Sequence, residues 1–157
     1  MSEIGKPAPE FELPATGDQI ISSEQLKGKN VVIYFYPKDS TPGCTTEGQN
    51  FRDAIDQFNA ANTVILGVSR DGIKSHENFK AKQEFPFDLL SDKEEMLCKA
   101  YDVIKEKKMY GRTSLGIERS TFVIDKEGIL VKEWRKVRVK GHVDEVLAFV
   151  TDLAAQG

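Results

Sequence analysis

The chain has 157 residues, of which 39% are hydrophobic and 30% charged, a composition that predicts one compact globular domain spanning residues 1–157. The net charge of −3 argues against a nucleic-acid-binding surface, and two cysteines are too few for a disulfide scaffold. The N-terminus lacks the apolar core of a signal peptide and no apolar run could span a membrane, so we expect a protein of the reducing cytoplasm.

The N-terminal half predicts a hairpin followed by a strand, a helix and a second strand. Apolar residues on either side of the turn-like segment 15–18 predict the hairpin, and Ser22 with Gln25 forms a capping-box pattern for a short helix. The apolar run 31–36 predicts a buried strand, and the run 63–68 predicts another. A right-handed crossover through the helix between these two strands would make them parallel.

The next part of the chain continues this alternation. Ser75 is a candidate cap for a helix that ends at Gln83. The apolar segment 85–90 predicts a short strand, which Pro86 would place at the edge of a sheet because proline cannot donate a ladder hydrogen bond. A second capping-box pattern at 91–94 predicts a helix directly after this strand.

The C-terminal part predicts a loop, a hairpin and a helix. The basic, glycine-containing segment 104–120 predicts a loop, and loops of that length are usually functional. Two apolar runs in 121–134 flank a turn containing Gly128, which predicts a hairpin. The apolar stripe at 143–153 predicts the closing helix. The whole order predicts an α/β protein with a central mixed sheet flanked by helices.

The stretch 37–44, Pro-Lys-Asp-Ser-Thr-Pro-Gly-Cys, joins the first buried strand to the helix after it. Thr41 is a candidate N-cap, and Pro42 suits the first helical position because it has no N–H group. Cys44 would then lie in the first turn, where free backbone N–H groups and the helix dipole favour an anion. This environment favours a thiolate and therefore predicts a reactive cysteine.

Together with Glu47 and Gly48, this stretch resembles the active-site loop of the peroxiredoxins, within them the bacterioferritin comigratory protein or peroxiredoxin Q subfamily. The resemblance continues through 67–71, 105–111 and 116–122, and so covers nearly the whole chain. It implies a thioredoxin-like fold. It also implies a thiol-dependent peroxidase that reduces hydrogen peroxide and organic hydroperoxides through a cysteine sulfenic acid.

The resemblance implies a catalytic set. Cys44 would be the nucleophile, and the Thr41 hydroxyl would hydrogen-bond the peroxide. Arg119, which on sequence alone would be interpreted as a surface charge, would stabilise the thiolate and orient the peroxide. Pro37 and Gly43 belong to the active-site loop; Pro37 would shield the sulfur, although it could also simply end a strand.

Two further residues each have two interpretations. Glu47 either holds the arginine or is an exposed first-turn acid that favours the helix dipole. Relatives with an internal disulfide carry the resolving cysteine at the positions of Gln49 or Lys80, so we expect a one-cysteine cycle resolved by an external thiol. Cys98 is expected to be a half-buried structural residue, and a resolving role is the less favoured alternative.

The remaining candidate groups predict no cofactor and no metal. His76 and His142 have no metal-ligand spacing, and surface or capping roles are expected for both. Around Trp134 lies a cluster of basic residues, which predicts a solvated strand end or a docking face for an acidic protein reductant. Its members are Lys132, Arg135, Lys136, Arg138 and Lys140.

The expected partners follow from the resemblance. They are hydroperoxide substrates and a thioredoxin-like or glutaredoxin-like reductant or a small thiol, with no nucleic acid and no membrane, for a monomer or weak dimer. One rival function is thiol–disulfide oxidoreduction, which normally needs a second nearby cysteine where this chain has Gln49. The other is a non-enzymatic binding or chaperone module, against which the set of Thr41, Cys44 and Arg119 argues.

Overall fold

The computed structural model of the chain describes residues 2–156. Within them, nine strands and five α-helices follow one another, with a short 3-10 helix at Glu24–Leu26. Their bounds, in chain order, are β1 (Glu12–Ala15), β2 (Gln19–Ser22), β3 (Asn30–Phe35), α1 (Pro42–Asp53), α2 (Ile55–Ala60), β4 (Thr63–Ser69), α3 (Ile73–Gln83), β5 (Asp88–Ser91), α4 (Met96–Ala100), β6 (Ile104–Met109), β7 (Arg112–Ile117), β8 (Ser120–Ile124), β9 (Leu130–Trp134) and α5 (His142–Gln156).

Seven strands form one mixed sheet in the order β2-β1-β5-β4-β3-β8-β9. The inner strands β3, β4 and β5 are parallel, whereas β8 and β9 on one side and β1 and β2 on the other pair antiparallel. The predicted central mixed sheet, N-terminal hairpin and parallel crossover are therefore confirmed. None of the described helices is both long enough and apolar enough to cross a membrane.

The central strand β3 divides the core into two apolar clusters because its side chains alternate between the two faces of the sheet. Val31, Ile33 and Phe35 belong to the first cluster, which also contains residues of β1 and α4. The second cluster contains apolar residues of α1, α2, α3 and α5 together with the other face of β3, namely Val32, Tyr34 and the following Tyr36. The two faces of β3 thus carry different groups of helices.

The prediction of a loop at 104–120 was wrong, because β6 and β7 form an antiparallel hairpin there. Tyr110 and Gly111 join the strands with φ angles of 53° and 76°, and two consecutive positive φ angles are typical of a two-residue hairpin turn. The hairpin is a separate two-stranded sheet, and the first four of the six residues of β7 are exposed. It therefore lacks the apolar alternation that reveals a half-buried strand in a sequence.

Several details of the predicted elements were also wrong. Ser75 lies within the first turn of α3 rather than at its cap, and no described side chain caps α3 or the 3-10 helix. β5 lies between β1 and β4 rather than at an edge, and Pro86 precedes its first residue, so no ladder hydrogen bond is lost. The second capping box does not cap α4. Instead, the buried Asp92 carboxylate accepts hydrogen bonds from the N–H groups of Leu97 and Cys98.

Candidate active site

The loop between β3 and α1 places Cys44 in the first turn of the helix, where its side chain is 2% exposed. Thr41 occupies the N-cap position and Pro42 the first helical position, as predicted. The Thr41 side chain makes no capping hydrogen bond to the helix, however, and its hydroxyl donates to the Lys38 carbonyl at 2.8 Å. The N–H groups of the first turn therefore have no side-chain cap, and by their position they have no partner within the helix.

Arg119, between β7 and β8, connects the cysteine to a carboxylate. Its Nη2 lies 3.4 Å from Cys44 Sγ, and its Nη1 donates to Glu47 Oε1 at 2.6 Å. A Cβ atom on Gly43 would lie 3.1 Å from Nη2, so the glycine allows the guanidinium this close approach. The interpretation of Arg119 as a solvated surface charge is therefore wrong, since it contacts a buried thiol and a buried acid.

Glu47 is fully buried, and its second oxygen, Oε2, has no hydrogen-bond partner among the described residues. Burial raises the pKa of Glu47 to about 7, although the Arg119 charge opposes this shift. The Arg119 pKa is itself raised: burial lowers it, but the Glu47 and Cys44 charges outweigh burial. Of the two interpretations of Glu47, the exposed first-turn acid is wrong, and the carboxylate lies against the arginine.

Pro37 is half-buried and lies immediately after the last hydrogen bond between β3 and β4, which the Tyr36 N–H donates to the Val68 carbonyl. It therefore stands where the chain leaves the sheet and enters the active-site loop. This position fits the interpretation of Pro37 as the residue that ends the strand, and its shielding of the Cys44 sulfur stays a prediction.

The structure also brings in residues that the sequence did not indicate. Burial lowers the pKa of Lys107, in β6, and the positive charges of Arg119 and Arg70 lower it further. The hairpin thus adds a cation to the surroundings of Arg119. The Tyr34 hydroxyl is also buried, and it has no hydrogen-bond partner among the described residues. Burial raises the pKa of Tyr34, and the Glu47 charge raises it further. Neither residue lies in a recognisable motif, so only the fold could reveal them.

The two histidines are buried, and the surface roles expected for them were wrong. His76 is in contact with Asp39 and with the Leu90 carbonyl. His142 lies 2.7 Å from the Thr121 hydroxyl, and burial, together with the Arg119 charge, lowers its pKa to about 4. His142 is therefore neutral at physiological pH.

Cys98 packs in the first apolar cluster and Cys44 in the second, so they lie on opposite faces of the sheet. A disulfide needs Cα atoms within about 7 Å, which a sheet between the residues does not allow without rearrangement. Cys98 is fully buried rather than half-buried, and burial raises its pKa, with Asp92 adding to the shift. The two positions at which relatives carry a resolving cysteine hold Gln49 and Lys80. The Gln49 side chain donates a hydrogen bond to Gln83, and the Lys80 ammonium donates one to Asp88.

The basic cluster around Trp134 is not uniformly solvated. The Arg135 guanidinium donates to the carbonyls of Tyr101 and Asp102 at 2.8 and 2.9 Å, so this arginine ties β9 to the end of α4. Lys132 lies 5.4 Å above the Trp134 ring. Exposed basic side chains remain at 136, 138 and 140.

Comparison with known proteins agrees with this geometry. Residues 4–133 match the family model described as the AhpC/TSA family. The chain belongs to that family. It is 55% identical to Peroxiredoxin Bcp of Xanthomonas campestris over 96% of this chain and 95% of the relative, and 51% identical to Peroxiredoxin Bcp of Bacillus subtilis over 97% of each.

Solved structures give the same result. A Xanthomonas campestris bacterioferritin comigratory protein, studied for its alkyl peroxide reduction activity, superposes with a TM-score of 0.88 at 54% identity over 92% of each chain. A cysteine-to-serine variant of Xylella fastidiosa PrxQ gives 0.93 at 44% identity over 98% of each. The predicted thioredoxin-like peroxiredoxin fold, the bacterioferritin comigratory protein subfamily and the class of thiol peroxidase are confirmed.

Charging Glu47 should make the protein less stable as the pH rises. Its folded-state pKa of about 7 lies above the ordinary 4.5, so the folded protein retains a proton that the unfolded chain releases between these values. Its contribution to stability is therefore lost as the pH rises towards 7. We compare the unfolding free energies of Glu47→Gln and wild type by urea denaturation. From pH 5 to pH 8, the difference between them should shift by about 1–3 kcal/mol in favour of the variant.

The exposed Glu94 provides the control for this measurement. Glu94→Gln should differ from wild type by nearly the same amount at pH 5 and pH 8, because an exposed carboxyl keeps its contact with water when the chain folds. A Glu47→Gln difference that is independent of pH would show that the buried carboxyl is not harder to ionise than an exposed one.

Proposed function

We propose that this chain reduces hydrogen peroxide and organic hydroperoxides with Cys44 as the nucleophile, Arg119 and Thr41 as the groups that bind the peroxide, and an external thiol as reductant. The observation that carries the proposal is the placement of the Arg119 guanidinium, 3.4 Å from Cys44 Sγ and bonded to buried Glu47. A fixed cation beside the sulfur favours the thiolate, which is the nucleophilic form.

In the first half of the reaction, the Cys44 thiolate attacks one oxygen of the peroxide. A sulfur–oxygen bond forms as the oxygen–oxygen bond breaks, giving a sulfenic acid on Cys44 and an alkoxide or hydroxide that takes up a proton. Negative charge moves from the sulfur to the departing oxygen. Arg119 can stabilise both positions, because its planar guanidinium has several N–H donors and remains charged.

Thr41 has a defined hydrogen-bonding capacity. Because its hydroxyl proton is donated to the Lys38 carbonyl, its oxygen is left as an acceptor. An organic hydroperoxide has one O–H donor and hydrogen peroxide has two, so Thr41 can accept from either peroxide while Arg119 donates to it. The two residues would thus hold the peroxide in one orientation before attack, which is the geometric requirement for a fast displacement. Pro37 and Gly43 shape the loop around this site.

The second half of the cycle needs a thiol from outside the chain. An external thiol would condense with the Cys44 sulfenic acid to a mixed disulfide and water, and a second thiol would then release Cys44. Cys98 packs on the opposite face of the sheet, and the usual resolving positions hold Gln49 and Lys80. The same facts disfavour thiol–disulfide oxidoreduction as the main activity, because no second cysteine lies near Cys44.

The remaining features of the proposal concern the setting. We propose a single thioredoxin-like domain over 1–157, since one sheet connects the first and last strands of the described residues. A cytoplasmic location agrees with the two free thiols. A thioredoxin-like or glutaredoxin-like protein or a small thiol would be the reductant of a monomer or weak dimer. The exposed basic residues near Trp134 offer a docking face for an acidic reductant.

Stopped-flow consumption of hydrogen peroxide by the pre-reduced protein tests the function directly. Wild type should consume one equivalent rapidly and add one oxygen atom to Cys44, identified by mass after trapping with dimedone. Cys44→Ser should consume none above the uncatalysed rate. Equal consumption by wild type and Cys44→Ser would refute the proposed function.

Thr41 variants test how the peroxide is held. Thr41→Val keeps the shape but removes the acceptor oxygen, so its rate constant for hydrogen peroxide should fall by about tenfold to a hundredfold. Thr41→Ser keeps the hydroxyl and should remain within about threefold of wild type. Because the Thr41 side chain caps no N–H group, the Val variant should fold normally, as checked by circular dichroism. Equal rates in the two variants would contradict the role of the hydroxyl.

Cys98 variants test the one-cysteine cycle. Cys98→Ser should retain most turnover with dithiothreitol, because the opposite face of the sheet does not take part in resolution. After one equivalent of peroxide, non-reducing mass analysis of wild type should show a sulfenic acid or its adduct and an unmodified Cys98. Rapid formation of an intramolecular bond between Cys44 and Cys98 would instead identify Cys98 as the resolving residue.

A further inference from the structure

A buried polar network holds the active-site loop at Asp39, a residue that no motif indicated as functional. The Asp39 Oδ1 accepts a hydrogen bond from the Tyr36 hydroxyl at 2.6 Å, and its Oδ2 accepts one from the Ser75 hydroxyl at 2.8 Å. His76 Nδ1 lies 2.7 Å from the same Oδ2, and the two side chains are 0% and 2% exposed. The loop is thereby joined to α3, which carries Ser75 and His76.

The hydrogen bonds define the proton content of this network. His76 Nε2 lies 2.8 Å from the Leu90 carbonyl, and a carbonyl only accepts, so Nε2 carries a proton. Nδ1 faces Asp39 Oδ2, which also accepts the Ser75 hydroxyl, while the Tyr36 hydroxyl donates to the other carboxylate oxygen, Oδ1. Asp39 and His76 are thus joined in one buried hydrogen-bond network. Both ring nitrogens are committed to oxygen atoms, so the ring has no free nitrogen for a metal ion.

The backbone of Asp39 is held as firmly as its side chain. Its N–H donates to Asp71 Oδ2 at 2.9 Å, and the same oxygen accepts the Ser69 hydroxyl at 2.7 Å. Asp71 follows β4, so the loops after two adjacent parallel strands are bonded to each other. Buried ion pairs and networks with satisfied partners restrict a segment to one arrangement.

The residue after Asp39 shows why such an anchor is needed. Ser40 has a φ of +63°, a left-handed conformation that is unfavourable for a residue with a Cβ atom. Conformations of this kind persist only where the surrounding structure enforces them. Ser40 itself is exposed, so the enforcement comes from its neighbours. The turn at Ser40 directs the chain into Thr41 and the first turn of α1.

We propose that Asp39 and His76 form a positioning pair for the peroxidase reaction: they fix the turn that sets Thr41 against Cys44. This inference rests on the proposed function. Neither residue contacts the thiol or the peroxide, so the pair acts through the loop. Its loss should therefore impair peroxide reduction, which needs Thr41 in place, more than a simple displacement by the same thiolate, which does not.

The test compares two reactions of one cysteine. Pre-reduced wild type and Asp39→Ala are reacted with hydrogen peroxide in a stopped-flow instrument and, separately, with iodoacetamide, which the thiolate attacks without needing Thr41. Asp39→Ala should lose at least about tenfold in the peroxide rate constant while its alkylation rate stays within about threefold of wild type or rises. Asp39→Asn keeps an oxygen that can accept from Tyr36 and an amide that can bond the His76 ring, so it should recover most of the peroxide rate.

Asp92→Ala is the matched control, because Asp92 is also a buried aspartate but caps α4. It should leave the ratio of the two rates unchanged. If Asp39→Ala does not fold, the double variant Tyr36→Phe, Ser75→Ala removes two of the donors to Asp39 and must show the same selective loss.

The outcomes separate this inference from the function on which it rests. A wild type without peroxidase activity would refute the proposed function. An active wild type with an Asp39→Ala variant that keeps its peroxide rate, or loses both rates in parallel, would overturn the positioning role alone.

Discussion

The rest of the site depends on two contacts of the Arg119 guanidinium. It lies against the Cys44 sulfur and the Glu47 carboxylate, which both belong to α1. The sheet supplies this contact, because Ser120 pairs with Phe35 in the register of β8 and β3, so Arg119 lies just beyond the end of β3, where the active-site loop begins. Its own carbonyl accepts the Val137 N–H, which fixes the backbone as well. A buried carboxylate would be costly alone, and the arginine offsets that cost.

The same arginine couples the chemistry to the packing. In the proposed reaction, the Cys44 thiolate loses its charge when it becomes a sulfenic acid, whereas Glu47, whose burial raises its pKa to about 7, changes charge near neutral pH. The charge around Arg119 therefore differs before and after oxidation. Because the region contains little solvent, this change in charge is only weakly screened. The buried, neutral His142 and the cation Lys107 lie in the field of the same guanidinium. The site is thus one electrostatic unit assembled from α1, β6, the connection between β7 and β8, and α5.

The sequence was informative where the deciding contacts are local. The continuous apolar run 31–36 predicts the central strand, and proline before Cys44 predicts a helix start, because both depend only on neighbouring residues. Arg119 is 75 residues from Cys44, and only the resemblance to a family indicated it. His76 acquires its partners 37 and 14 residues away, so its burial could not be predicted. The hairpin within 104–120 was missed because polar strands at the surface carry no apolar pattern.

The arrangement also constrains how an outside thiol can reach the oxidised cysteine. At 2% exposure, Cys44 Sγ cannot be approached by a second sulfur unless the first turn of α1 or Arg119 moves. The next turn is tightly held, since a Cβ on Gly48 would overlap the Phe85 ring, and Asp39 is anchored on the other side. Between these points the helix begins without a side-chain cap, so its first turn opens at lower cost than a capped one. The segment around Thr41 and Cys44 can therefore open locally, while Asp39 before it and Gly48 after it stay in place.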